Sequence, residues 1–128
     1  MKVQDYITGI QHIGLPVKAM DKTLSFYKAL GFEEAYSTMN GQSRVVFLKQ
    51  KNLVFEIYED ENARNESGAI DHIAIDVENI EKVFDIVATL GYKMLDEDIQ
   101  YLPFWKNGVR FFTILGPNGE KVEFSQML

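Results

Sequence analysis

Residues 9–35 read GIQHIGLPVKAMDKTLSFYKALGFEEA, and residues 69–95 read AIDHIAIDVENIEKVFDIVATLGYKML. Laid over one another without a gap, at an offset of 60, they share Ile10/Ile70, His12/His72, Ile13/Ile73, Val17/Val77, Lys22/Lys82, Leu30/Leu90 and Gly31/Gly91. Asn40 to Tyr58 lies over Asn107 to Ser125 at an offset of 67, which matches Asn40-Gly41 with Asn107-Gly108, Leu48 with Leu115 and Glu56 with Glu123. The chain is one module written twice, and the period of a repeat is read first because it sets the architecture. Both histidines of the chain coincide in the overlay, and a glutamate repeats with them. A repeated imidazole and a repeated carboxylate point to one shared metal centre. A set with no sulfur suits Zn, Ni, Co, Fe or Mn.

Working outward from the first copy, Ile10 to Val17 alternates as a strand does, with Ile13, Leu15 and Val17 on one face and His12 on the other. Met20, Leu24, Tyr27 and Leu30 then recur at helical spacing, and Gly31 supplies the stop. Residues 33–39 and 42–49 flank Asn40-Gly41, a strong signal for a two-residue hairpin turn. A second turn at Lys51-Asn52 leads into Leu53 to Tyr58, where Leu53, Phe55 and Ile57 share a face and Glu56 lies opposite with Val54 and Tyr58. The order is βαβββ.

The polar stretch Asp60 to Gly68 has the makeup of a linker. The second copy repeats the order with a strand over Ile70 to Val77, a helix capped by Asn79 and stopped by Gly91, and strands over Val109 to Leu115 and Lys121 to Gln126. The expected fold is α+β, a single domain over 1–128 with module one at about 8–60, a linker at 60–68 and module two at about 69–128. The rise in offset from 60 to 67 places seven extra residues between Leu95 and Asn107, a segment that holds Tyr101, Leu102, Pro103, Phe104 and Trp105.

Composition narrows the functional classes. At 128 residues the chain is long enough to bury about two thirds of its unfolded surface without covalent staples. It has no cysteine, so disulfides, thiolate nucleophiles and zinc-finger chemistry are excluded, and a cytoplasmic location is expected. Neither a leader-like start nor an apolar run of membrane-spanning length is read from it. A net charge of -6 argues against a surface for nucleic-acid backbone.

A histidine or glutamate on the outer face of a strand is by itself ordinary surface. Four such residues at repeat-equivalent positions, with the aliphatic faces packed under helices, would instead line one trough. Phe26, Tyr27 and Phe84 lie on helix faces and are assigned to packing, while Tyr36, Tyr58 and Phe112 fit core or trough lining.

The segments QHIGLPVKAMDKTLSFYKALGF (11–32), LVFEIYED (53–60), DHIAIDVENIEKVFDIVATLGY (71–92) and GPNGEKVEFSQ (116–126) resemble the vicinal-oxygen-chelate superfamily. That group takes in glyoxalase I, methylmalonyl-CoA epimerase, fosfomycin-resistance enzymes, extradiol dioxygenases and bleomycin-binding proteins. The resemblance runs from about Gly9 to Gln126 and implies paired βαβββ modules forming an incomplete barrel around a metal trough. It also implies that His12, Glu56, His72 and Glu123 are the metal ligands.

Extradiol dioxygenases and fosfomycin enzymes generally use two His and one Glu, and methylmalonyl-CoA epimerases typically carry Gln where this chain has Glu56. The His/Glu/His/Glu set resembles that of compact bacterial glyoxalase I, which usually prefers Ni or Co over Zn. By that resemblance one divalent ion is expected per site (Ni, Co or Zn, with Fe and Mn also compatible), and Glu123 is the principal catalytic base with Glu56 its symmetric counterpart. The substrate implied is a small α-oxo compound or its thiol adduct, in the manner of lactoylglutathione lyase. Alternatives are an epimerase acting beside a thioester, with a CoA conjugate as substrate, and a small-molecule binder of the same fold.

A homodimer is expected, because halves of the trough in this superfamily are completed within a chain or by exchange with a partner, so the four ligands come from one chain or from two. Phe104, Trp105, Arg110 and Tyr58 are the candidate substrate-pocket residues. Arg44 and Lys49 join Arg110 as candidates, by charge, for gripping a thiol. Segment 96–106 is expected to shape the pocket.

Overall fold

A computed structural model describes residues 2–128. After a single 3-10 turn at Val3–Asp5, the elements are β1 (Ile13–Val17), α1 (Met20–Ala29), β2 (Glu33–Asn40), β3 (Ser43–Gln50), β4 (Leu53–Glu59), β5 (His72–Asp76), α2 (Ile80–Thr89), β6 (Lys93–Met94), β7 (Gln100–Leu102), β8 (Val109–Leu115) and β9 (Lys121–Met127). One sheet has the order β1-β4-β3-β2; the other has β5-β9-β8-β6, with β7 also paired to β8. The tandem βαβββ modules read from the sequence are therefore present, the second strand of module two being split into β6 and β7.

The repeat extends to the register. Gly14 lies opposite Glu56 across the parallel β1–β4 ladder, and Ala74 lies opposite Glu123 across β5–β9. Each glutamate thus faces a small residue, which leaves room above the sheet. Both opening strands start later than the alternation suggests. The ladders begin at Ile13 and His72, while Ile10 and Ile70 are 74% and 79% exposed. His12 therefore stands just before β1, and His72 is the first residue of β5.

The length difference is also spread more widely than the offsets imply. In module one Leu48 pairs with Phe55, and in module two Ile114 pairs with Val122. The counterpart of Leu48 is thus Ile114, not Leu115, and the turn between β8 and β9 holds one of the extra residues. Residues 35–37 of module one correspond to 95–99 of module two, and the two-residue turn 41–42 corresponds to 103–108. The first hairpin turn is Gly41-Gln42, since Asn40 still pairs with Ser43.

Both helices pack on the aliphatic faces. Val17, Leu24, Phe26, Tyr27, Leu48, Phe55 and Ile57 from module one join Ile80, Val87, Phe112, Ile114, Val122 and Phe124 from module two in one buried cluster. The rings of Phe26 and Tyr92 meet across the modules at 4.6 Å. A polar clasp adds direction to this apolar contact. The Tyr27 hydroxyl donates to Glu120 Oε2 at 3.0 Å, the Asn118 amide donates to the same oxygen at 3.0 Å, and Asn118 also bonds the hydroxyl of Thr23. Burial and the Glu120 carboxylate hold the Tyr27 hydroxyl well above the usual phenol range, so it stays a donor.

The linker is tied to the same turn. Ala63 is buried, and Gly119, at φ +77, lies so close to the Asn65 carbonyl that a Cβ there would sit 2.2 Å from its oxygen. Only glycine allows that approach.

Candidate metal half-sites

The faces turned away from the helices carry the chemistry. On the first sheet His12 stands beside Glu56, with Nε2 3.7 Å from Oε1. On the second, His72 Nε2 lies 4.0 Å from Glu123 Oε1. Both separations are too long for hydrogen bonds. They fall within the span of two donor–cation bonds of about 2.1 Å each, the length both imidazole nitrogen and carboxylate oxygen make to a small divalent ion.

The far side of each ring is fixed in the same way. His12 Nδ1 lies 2.9 Å from Oε1 of Gln11, and His72 Nδ1 lies 3.0 Å from Oδ2 of Asp71. These oxygens can only accept, so each Nδ1 carries a hydrogen, and in the neutral ring that tautomer leaves the lone pair on Nε2, the nitrogen nearer the glutamate. Gln11 and Asp71 are repeat equivalents, and their type is the signal that the site-directed reading of the sequence passed over. The four residues fit a divalent ion by donor type, by tautomer and by spacing within each pair.

The two pairs do not merge. Among the described residues no group of three or more His, Asp or Glu side chains converges closely enough to hold a metal ion. One chain presents two half-sites, on two sheets. Two hollows, of about 590 and 720 Å³, are lined by none of the four residues. A cleft of about 170 Å³ does include His72, lined also by Asp71 and Lys121 and by Ile13, Gly14 and Leu15 of β1.

The glutamates differ in setting. Glu123 is 18% exposed and Glu56 32%. Burial raises the Glu123 carboxyl above its ordinary value, His72 opposes the shift, and Asp96 adds to it. Asp96 follows Leu95, whose N–H bonds the Thr113 carbonyl, and Thr113 lies opposite Glu123. The segment that carries extra residues in module two thus holds, near its start, a carboxylate whose charge is felt at Glu123, an influence that periodicity does not reveal.

The remaining candidates separate by face. Tyr58 lies two residues from Glu56 on the same side, its ring 3.6 Å from where a Gly14 Cβ would be. The Phe47 ring meets that of His12 edge-on at 5.7 Å, with Tyr36 beyond it at 6.1 Å. Lys49 shares this face by strand alternation. Arg110 lies on the helix side, where it pairs with Glu81 in the first turn of α2, and it is not brought to Glu123. Arg44 pairs likewise with Asp21 of α1, at 3.2 Å. These clasps are equivalent by register, so both arginines tie a helix to its sheet. Phe104 and Trp105 occupy the tip between β7 and β8 and are 54% and 75% exposed. The tip stands beyond Val109, four strand residues from the position opposite Glu123, or about 13 Å along β8. Gly108 closes this tip under the Tyr101 ring, which a Cβ would meet at 2.5 Å.

The family model for the Glyoxalase/Bleomycin resistance protein/Dioxygenase superfamily matches residues 9–124, and the chain belongs to that superfamily. The "Uncharacterized protein YwbC" of Bacillus subtilis (strain 168) is 28% identical over 126 residues, spanning 91% of this chain and 96% of that protein. The crystal structure of the glyoxalase family protein from Enterococcus faecalis superimposes with a TM-score of 0.78 at 22% identity, over 94% of this chain and 98% of that one. The fosfomycin resistance protein FosX from Listeria monocytogenes, complexed with Mn(II) and sulfate ion, gives 0.74 at 23% identity, over 95% and 94%. Likeness at this identity establishes the shared fold.

Proposed function

We propose that this member of the superfamily is a metal-dependent lyase or isomerase of the glyoxalase I type, acting on a small α-oxo compound or its thiol adduct. In this reading the working centre is built by a homodimer. The observation that carries it is the duplicated His Nε2–Glu pair, each ring locked by a side-chain oxygen on Nδ1, on two surfaces that one chain does not bring together. His12 and Glu56 of one copy would meet His72 and Glu123 of a second. The same contact would cover β2, an edge strand exposed along its whole length that bears Tyr36 and Met39, and edges of that kind are normally paired or shielded.

A divalent ion held by the four side chains would stabilise the negative charge left on substrate oxygens when the adjacent carbon loses a proton. The protein supplies the base. Glu123 is the better placed carboxylate, because its partial burial and the neighbouring Asp96 raise its proton affinity toward that of a useful general base. A carboxylate can also shift between its two oxygens while taking and returning a proton. Glu56, more exposed, holds its position beside His12. The absence of cysteine is consistent with a cytoplasmic enzyme.

The test is turnover by protein reloaded separately with Ni, Co, Zn, Fe or Mn. Methylglyoxal plus glutathione probes the leading reading, and a racemic methylmalonyl thioester probes an epimerase. Metal-loaded dimer that turns over the first and not the second supports the proposal. The opposite result assigns an epimerase, and tight metal binding with neither activity assigns a binding protein.

A further inference from the structure

The two half-sites share a plan and differ in charge. Behind His72 stands a carboxylate, and behind His12 an amide. Asp71 bonds the ring with one oxygen and accepts from Lys121 Nζ at 3.0 Å with the other. Lys121 lies directly opposite His72 in the β5–β9 ladder, so Asp71, one residue ahead of β5, is held by the first residue of β5 and by the first residue of β9. Gln11 stands ahead of β1, whose ladder starts at Ile13. An anionic acceptor on Nδ1 fixes the ring more firmly than a neutral one and adds electrostatic attraction for any cation at Nε2.

We propose that Asp71, held by Lys121, is the positioning residue for His72, and that it makes the module-two pair the stronger of the two metal-holding halves. The inference rests on the reading of His12, Glu56, His72 and Glu123 as ligands, and it explains how that reading is workable. In that reading Glu123 would serve both as a donor to the ion and as the base. The imidazole that shares its half-site is the one given an anionic support. The half whose carboxylate would have two tasks is thereby the half whose imidazole is best secured.

The test uses full-length protein stripped by chelator. Long-range 15N–1H correlation spectra of the metal-free protein report the tautomer of each histidine, and competition with a chromophoric chelator reports Ni2+ and Zn2+ affinity. In wild type, His72 carries its proton on Nδ1. Asp71→Asn keeps an acceptor and drops the charge, so it preserves the tautomer while weakening metal binding several-fold. Asp71→Ala frees the ring to mix tautomers and weakens binding by about 10- to 100-fold. Gln11→Ala costs less than Asp71→Ala, and Gln11→Glu tightens binding. Asp71 is mostly exposed, and melting curves of the variants check that the fold is intact.

A wild-type His72 protonated on Nε2, an Asp71→Ala affinity within two-fold of wild type, or an equal loss in Gln11→Ala overturns the proposal. Wild-type protein that takes up neither metal overturns the ligand reading and with it the ranking of the halves. The tautomer spectra then decide by themselves whether Asp71 positions His72.

Discussion

Replacing Glu123 by Gln separates the two tasks assigned to that side chain. Glutamine matches the shape of the carboxylate, so it can keep the 4.0 Å spacing to His72 and leave three donors undisturbed. It cannot accept a proton from carbon. A positioned general base contributes about 10²- to 10⁴-fold, equivalent to about 2.7–5.4 kcal/mol of barrier at 1.36 kcal/mol per tenfold. The expected result is a fall in kcat of that size with metal affinity reduced far less.

Stability moves the other way in metal-free protein. The Glu123 pKa is raised on folding, so its ionised form opposes folding. That cost is fully present above the folded-state value and vanishes below the ordinary value of 4.5. Glu123→Gln should therefore melt above wild type at pH 7, with the gain shrinking as pH falls through the carboxylate range and gone well below 4.5. Differential scanning calorimetry across pH, equilibrium metal titration and steady-state kinetics on the identified substrate make up the assay. Wild-type turnover in this variant would refute the mechanism, and a gain in stability that persists at low pH would refute the electrostatic account.

His12→Ala and His72→Ala should each lose both metal and turnover, read by metal content after dialysis; retention of metal by either disproves the shared centre. Phe104→Ala and Trp105→Ala should raise KM or alter substrate preference with little change in melting temperature, since both side chains are exposed; unchanged kinetics with lowered stability would make the tip structural. Arg110→Ala should leave KM unchanged and lower stability slightly, because its partner is Glu81 on α2; a large rise in KM would return Arg110 to the site. Tyr27→Phe removes one hydrogen bond to a partly buried carboxylate and should cost about 1.5–3 kcal/mol in urea unfolding; no measurable loss would show that the inter-module clasp adds nothing.

How much of this was legible depends on what each inference needs. Strand β8 follows the sequence reading residue for residue, and the outward direction of Glu56 and Glu123 follows from alternation, because period two needs only the local chain. The starts of β1 and β5 were over-extended because Ile10 and Ile70 alternate properly and yet meet no ladder partner. The match of Leu48 to Leu115 failed by one residue, since two adjacent aliphatics look alike in sequence and an extra turn residue between β8 and β9 decides which is buried. The same parity decided Arg110. A shift of one position exchanges the helix side for the site side, and charge alone cannot reveal it. Asp71 behind His72 was readable as a repeat-equivalent acceptor. The electrostatic influence of Asp96 on Glu123 was not, because it depends on how the chain leaves β6 and returns along β8 as β7.

Under the proposed function, the departures from symmetry would suit the duplicated module to chemistry on an asymmetric substrate. Two identical half-sites would give two equivalent carboxylates, with nothing to decide which one moves a proton. Three differences break the tie, and all three act on module two. Asp71 replaces Gln11 behind the histidine, burial and Asp96 raise the proton affinity of Glu123, and the residues after Met94 add material to one rim only. In the proposed mechanism the first would secure the ring, the second would favour proton uptake by the neighbouring carboxylate, and the third places aromatic surface on a single side. Each change is small in sequence. Because the parallel ladders of β1–β4 and β5–β9 keep His and Glu in the same register in both modules, such changes can assign different roles to equivalent residues without disturbing the frame that holds them.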